Sequence, residues 1–193
     1  MIPGRRVDWF PTLDSTMLEA RRDPEPGRVV VADQQTQGMG RHGHTWHSPA
    51  HEGLYVSIVM AVPPAPFRTL SLGLAVRDAI GPVVDLRWPN DALIGGRKCA
   101  GILAQTEGEY VIAGIGVNVS QSRFPEGLDT PATSLAIEGI AISREELLVK
   151  LVSGWIDSPL CLLKKSCANS SARRVTSTAS ACERGIARAS RAD

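Results

Sequence analysis

The sequence predicts an α+β fold: a mixed, largely antiparallel sheet flanked by helices. Three observations carry this. Short apolar, β-branched runs recur along the chain, above all residues 28–33 (RVVVAD) and 54–62 (LYVSIVMAV). A Gly95-Gly96 pair separates two such runs, the signature of a hairpin and hence of antiparallel pairing. Helical patterns occur, but they do not alternate with every strand as a parallel βαβ array requires.

Taken in order, residues 6–10 make a short strand that Pro11 should close. Asp14-Ser15-Thr16 opens a helix, with Glu19 three residues after Thr16 completing a capping box, and the Asp23-Pro24-Glu25-Pro26-Gly27 run stops it. Residues 28–33 form a buried strand, followed by a polar, glycine-rich loop to about His51. The strand at 54–62 ends at Pro63-Pro64, and residues 70–80 carry the apolar spacing of a packed helix. Residues 83–88 form a strand that runs into Pro89-Asn90-Asp91. Residues 92–94 and 98–106 make the hairpin, a turn at Glu107-Gly108-Glu109 leads into a strand over 110–119, and Ser143 with Glu146 caps a helix reaching Trp155.

These elements fill residues 1–157. The segment 158–193 is rich in Ser, Ala and Arg, and its basic residues Lys164, Lys165, Arg173, Arg174, Arg184, Arg188 and Arg191 outnumber Glu183 and Asp193; its composition predicts disorder. Over the whole chain 21 Lys and Arg balance 20 Asp and Glu, so no global field draws the protein to nucleic acid or an acidic membrane. The N-terminal residues lack the apolar core of a signal peptide, and no run is long enough to span a bilayer, so a cytoplasmic location is expected. The four cysteines (Cys99, Cys161, Cys167, Cys182) form no C-x-x-C pair; Cys99 is expected to be a small buried residue.

The loop reads Gly38-Met39-Gly40-Arg41-His42-Gly43, which has the G-x-G-x-x-G spacing of a dinucleotide turn. Its context is wrong for one. Four polar residues separate the preceding strand from Gly38, and the residues after Gly43 do not begin an amphipathic helix. No Gly-Lys-Ser/Thr follows, so it is no Walker loop either. What is left is a flexible loop whose freed N–H groups and Arg41 can surround an anion. Asn90 and Asp91 offer adjacent oxygens suited to Mg²⁺ or ribose hydroxyls. Lys98, at the start of an apolar strand, is placed either to meet a carboxylate or phosphate or simply to reach solvent.

Five ordered motifs bear a resemblance to a known family: Asp14-Ser15-Thr16; Gln35-x-x-Gly38-x-Gly40-Arg41-x-Gly43-x-x-Trp46-x-Ser48-Pro49; Trp88-Pro89-Asn90-Asp91; Arg97-Lys98-x-Ala100-Gly101-Ile102-Leu103; and Gly114-x-Gly116-x-Asn118. Over residues 7–155 the chain resembles the catalytic domain of biotin protein ligases, in the biotin/lipoate ligase family. The resemblance implies an enzyme that uses ATP and Mg²⁺ to make biotinyl-5′-AMP and passes the biotinyl group to a lysine of a biotin carboxyl carrier domain. It implies that Ser15, Thr16 and Gln35 hold the ureido ring, with Met17, Met39, Gly40, Arg41, Gly101, Leu103 and Gly116 around biotin. Lys98 would sit between the biotin carboxylate and the α-phosphate, with Arg41 on the phosphate as the second catalytic residue. Gly38, Gly40, Arg41, Trp46, Asn90 and Asn118 would bind ATP and the adenylate, and Asn90 and Asp91 would serve the metal. For Trp46, Trp88 and Asn118, packing or strand-end capping is an equal alternative to direct contact.

Two departures stand out. Met39 occupies a position that is arginine in many relatives, and His42 and His44 soften the loop's charge. The start at the first catalytic strand implies a monofunctional enzyme without a DNA-binding module, and the family's usual C-terminal β-barrel-like domain is not recognisable after Ser158. A homodimer through a strand edge is compatible with the family. A biotin-binding remnant with impaired transfer, or a lipoate- or octanoate-transferring relative, are the alternatives.

Overall fold

The computed structural model describes residues 5–61 and 68–156. Among them are seven strands and three α-helices, in the order β1 (Val7–Leu13), α1 (Thr16–Arg22), β2 (Val29–Gln35), β3 (Gly53–Met60), α2 (Arg68–Ile80), β4 (Asp85–Arg87), β5 (Asp91–Ile94), β6 (Arg97–Glu107), β7 (Tyr110–Asn118) and α3 (Arg144–Ile156). All strands join one sheet in the order β1-β2-β3-β7-β6-β5-β4. Only β1 and β2, linked through α1, run parallel; every other pair is antiparallel. The expected fold class holds. The expected tail lies outside the described residues, as do Cys161, Cys167 and Cys182. No helix of the described residues is long and apolar enough to cross a membrane.

Strand alternation divides the apolar residues between two cores. Val29 and Val31 of β2, Ile58 of β3 and Ala113, Ile115 and Val117 of β7 join one cluster with Leu72 and Val76 of α2 and Leu147 and Leu151 of α3. Val30, Val59 and Ile112 point to the other face and pack with Met17 and Ala20 of α1. Two helices therefore cover one face, while the short α1 covers only part of the other. Because β3 has helices on both sides, all eight of its residues are buried.

Two local expectations change. Pro11 does not end β1, which continues to Leu13: β1 is an edge strand, where a missing N–H costs the sheet no ladder bond. The helix cap is Ser15, whose Oγ accepts from Met17 N at 3.3 Å, so Glu19 is not placed to close a box from Thr16. Glu19 instead receives the Arg28 guanidinium at 3.1 Å. Arg28 is only 2% exposed; it also donates to Asp8 at 2.7 Å and to the carbonyls of Glu19 and Asp23 at 3.2 and 3.0 Å. This fully partnered guanidinium ties α1 to the β1–β2 edge, and removing it would leave buried acceptors unpaired.

Candidate active site

The uncovered part of the α1 face is a cavity of about 630 Å³. Its floor is bare because three glycines fall on this face. Gly101 of β6 pairs with Gly116 of β7, and Leu103 pairs with Gly114, so two adjacent strands present almost no side chains. A Cβ on Gly114 would meet Met17 Sδ at 2.7 Å, and one on Gly101 would meet the Trp46 ring at 2.7 Å. Met17 and Leu103 close one end of this bed.

At that end the polar groups form a neutral chain. Thr16 N donates to Gln35 Oε1 at 2.9 Å and the Thr16 hydroxyl to the same oxygen at 3.2 Å. Ser57 Oγ donates to Thr16 Oγ1 at 2.8 Å. Gln35 Nε2 donates to Ser48 Oγ at 2.9 Å, and Ser48 passes its hydrogen to Trp46 O at 3.0 Å. Ser15, Thr16 and Ser57 are buried, so the donors and acceptors are fixed in place before any ligand arrives. Ser57 was not foreseen as a site residue; its trace in the sequence is a single serine among the bulky, mostly apolar residues of a buried strand.

The other end is charged. The glycine turn between β5 and β6, with φ of 55° and 76° at Gly95 and Gly96, is the left-handed turn that matches hairpin twist. It sets Lys98 opposite Leu93, two residues from Asp91, within a long side chain's diagonal reach. Lys98 Nζ lies 2.6 Å from Asp91 Oδ1, and Arg87 Nη2 lies 2.5 Å from Asp91 Oδ2 and 2.6 Å from Thr130 Oγ1. Burial would raise the Asp91 carboxyl, but the Lys98 ammonium and Arg87 guanidinium outweigh it and hold the group below its ordinary value. The Lys98 backbone is pinned as well: its N–H donates to Pro131 O at 2.7 Å, and its carbonyl accepts from Thr133 N at 2.9 Å.

Gly38 to Trp46 folds over the cavity as a small hairpin. Met39 bridges Thr45, Gly40 N donates to His44 O at 2.7 Å, and Trp46 N donates to Gly38 O at 2.8 Å. The tip turns through His42 and Gly43, both at positive φ. Arg41 Nη1 reaches Asn90 Oδ1 at 3.2 Å, joining the loop to the charged end. Met39 packs against the core that contains Met17, so an apolar contact seats the loop at this position.

The cavity gathers Ser15, Thr16, Met17, Gln35, Met39, Gly40, Arg41, Trp46, Asn90, Asp91, Lys98, Gly101, Leu103, Gly116 and Asn118. Gly38 is the exception: it borders the outer groove of the loop, and a Cβ there would strike the backbone oxygen of Trp46. The Asn118 amide is spent on the chain, donating to Thr133 O at 2.9 Å and Lys98 O at 3.3 Å. Trp46 lies on the glycine floor, its ring centroid 5.4 Å from Lys98 Nζ. Arg87, Thr130 and the segment Phe124, Pro125, Leu128 and Asp129 also line the cavity. Thr130 and the 124–129 segment escaped sequence reasoning because they belong to no regular element, and Arg87, which ends β4, because its role depends on its contacts with Asp91 and Thr130. Cys99 is buried as expected, and burial pushes its thiol up to about 12.

A family model described as the biotin/lipoate A/B protein ligase family matches residues 9–121. The biotin–[acetyl-CoA-carboxylase] ligase of Mycobacterium tuberculosis is 39% identical over 127 residues, 60% of this chain and 47% of that protein. The bifunctional ligase/repressor BirA of Bacillus subtilis is 36% identical over 154 residues, 70% and 47% respectively. The chain thus spans about half the length of these curated relatives. A biotin protein ligase from Aquifex aeolicus, solved with biotin and ATP, aligns with a TM-score of 0.71 at 32% identity, covering 78% of this chain and 68% of that one. One from Leishmania major, solved with biotinyl-5-AMP, aligns at 0.70 and 26% identity over 79% and 74%. The family match extends over more than half of the chain, and the chain belongs to the biotin/lipoate A/B protein ligase family.

Proposed function

We propose that this chain is a biotin protein ligase that makes biotinyl-5′-AMP from biotin and ATP and transfers the biotinyl group to a lysine of a biotin carboxyl carrier domain. The observation that carries this reading is the position of Lys98, whose ammonium stands where the glycine bed meets the charged half of one cavity. We assign this activity to residues 1–157.

The bicyclic ring of biotin suits the Gly101–Gly116 floor, and its ureido edge suits the prearranged Ser15, Thr16 and Gln35 groups. The carboxylate then lies toward Lys98. One carboxylate oxygen forms a bond to the α-phosphorus of ATP while the bond to pyrophosphate breaks. Lys98 offsets repulsion between the two anions and stabilises charge as it develops at phosphorus. Arg41 leaves Asn90 for the phosphate, and the hairpin loop keeps water from the mixed anhydride. The carrier amine next attacks the acyl carbon, forming the amide; AMP leaves, and the amine proton goes to solvent.

Mg²⁺ carried in with ATP would offset charge on the phosphates, with Asn90 and Asp91 as the residues that would hold it. Asn90 Oδ1 and the Asp91 carboxylate are the hard oxygen donors here, and no group of three or more His, Cys, Asp or Glu among the described residues could hold a metal. Such a sparse set suits an ion held mainly by phosphate and water oxygens.

The test is incubation of the protein with a purified carrier domain, biotin, ATP and Mg²⁺. Mass spectrometry should find one biotinyl group on the carrier, with pyrophosphate released. Adenylation of lipoate or octanoate in preference to biotin, or of none of them, refutes the reading.

A further inference from the structure

We propose that Cys99 is a positioning residue for Lys98: it fills a β-bulge in β6 that turns the lysine side chain from the core face of the sheet into the cavity. The inference rests on the biotin reading above and extends it to how the reacting cation is aimed.

The register between β5 and β6 carries the first observation. Asp91 pairs with Gly101 and Ala92 with Ala100, but Leu93 pairs with Lys98, so Cys99 has no partner on β5. One extra residue in one strand of an antiparallel pair is a bulge, and it reverses the alternation of side chains beyond it. The burial pattern carries that reversal. Ile102 and Ala100 belong to the core beneath α2 and α3, while Leu103 and Gly101 face the cavity. Strict alternation would send Cys99 to the cavity and Lys98 into that core. Instead Cys99 joins Ala100 in the core, wholly buried, and Lys98 lines the cavity.

The backbone around Lys98 is built for this turn. β6 pairs with β7 only from Ala100 onward. At Lys98 another segment takes the place of β7. Lys98 forms a parallel bridge with Ala132, its N–H donates to Pro131 O at 2.7 Å, and its carbonyl accepts from Thr133 N at 2.9 Å. The Cys99 thiol, which burial keeps protonated, donates to Ala92 O at 3.4 Å, beside the point where the register changes. A short apolar side chain with a weak donor thus fits the core side of the bulge. A longer one meets a close-packed interior and must move the strand that carries Lys98.

Cys99→Leu tests this on the whole chain. Adenylate formation from biotin and ATP in a single turnover should fall by about 10- to 100-fold, the cost of misplacing one reacting group. Biotin affinity by calorimetry should change little, because Ser15, Thr16, Gln35 and Ser57 stand on other elements. Added to Lys98→Ala, Cys99→Leu should cost nothing further, since it acts through the lysine. An equal loss in both backgrounds, or an unchanged rate, overturns the proposal. If Cys99→Leu fails to fold by circular dichroism, Cys99→Ala enters the same cycle. Its loss should be about two- to fivefold, the worth of one weak hydrogen bond, and again absent beside Lys98→Ala; an unchanged rate there overturns the proposal. A wild-type protein that makes no adenylate refutes the proposed function, and nuclear Overhauser contacts then decide the bulge. Contacts from both the Cys99 β-protons and the Ala100 methyl to core methyls support it, and a Cys99 that faces the cavity overturns it.

Discussion

The two ends of the cavity are built from different interactions. At the Ser15–Thr16–Gln35–Ser57 end, neutral groups hydrogen-bond to one another in a buried chain that carries no ion pair. At the Arg41–Asn90–Asp91–Lys98 end, ion pairs and one charge-to-amide contact hold each group that the reaction would use. Neutral hydrogen bonds fix a shape, whereas paired charges form a reserve that an anionic ligand can redirect. One end is suited to selecting a substrate, the other to carrying it through a change in charge.

The sharpest way to separate the ends is Lys98→Ala. Adenylate formation should fall by on the order of 10²–10³-fold, as for loss of one group aimed at developing charge, with biotin affinity changing much less. A comparable loss in affinity and turnover would mean that Lys98 belongs functionally to the selecting end. Next in size, Gly116→Val puts a branched side chain into the floor. Overpacking of this kind should weaken biotin binding by about 10- to 100-fold, read by calorimetry, with the far-ultraviolet spectrum unchanged.

Ser57→Ala removes one hydrogen bond behind Thr16. It should weaken biotin binding by about two- to tenfold, the worth of a single neutral bond, and that loss should not vary with salt. A salt-dependent loss would break the distinction between the ends. The smallest effect is on stability. In Asp91, and in Asp8 and Asp33 elsewhere, burial favours a higher pKa, but hydrogen bonds and ion pairs outweigh it and lower the value. Such carboxylates add stability that is complete above their unfolded value near about 4 and lost as pH falls through the lowered folded value. Urea midpoints should stay level from about pH 7 to 5 and drop below about pH 4; Asp91→Asn should reduce the acid-side drop.

How much of this was legible in the sequence varied with the range of the interaction involved. Residues 28–33, the Gly95-Gly96 hairpin and the Ser143 cap are governed by neighbours a few positions away, and each appeared as expected. Pro11 and Glu19 were misread because their outcome depended on distant partners. An edge position excused the proline, and Arg28 claimed the glutamate. The site residues read from the sequence all line the cavity except Gly38, which faces the outer groove; the motifs did not reveal the 124–130 segment or that the Asn118 amide supports the Lys98 strand.

By itself, then, the sequence determined the fold class, the family and a core set of the residues that meet in the cavity, because strand periodicity, turn chemistry and ordered motifs are written along the chain. Only the tertiary structure decided what those residues do before a ligand arrives. The register between β6 and β7 lays Gly101 beside Gly116 and so creates a floor, and the folding back of the loop sets Trp46 upon it. The diagonal reach across β5 and β6 joins Lys98 to Asp91. Each of these contacts spans residues far apart in sequence or on opposite strands, and which partner wins depends on competing burial and charge that no local pattern encodes.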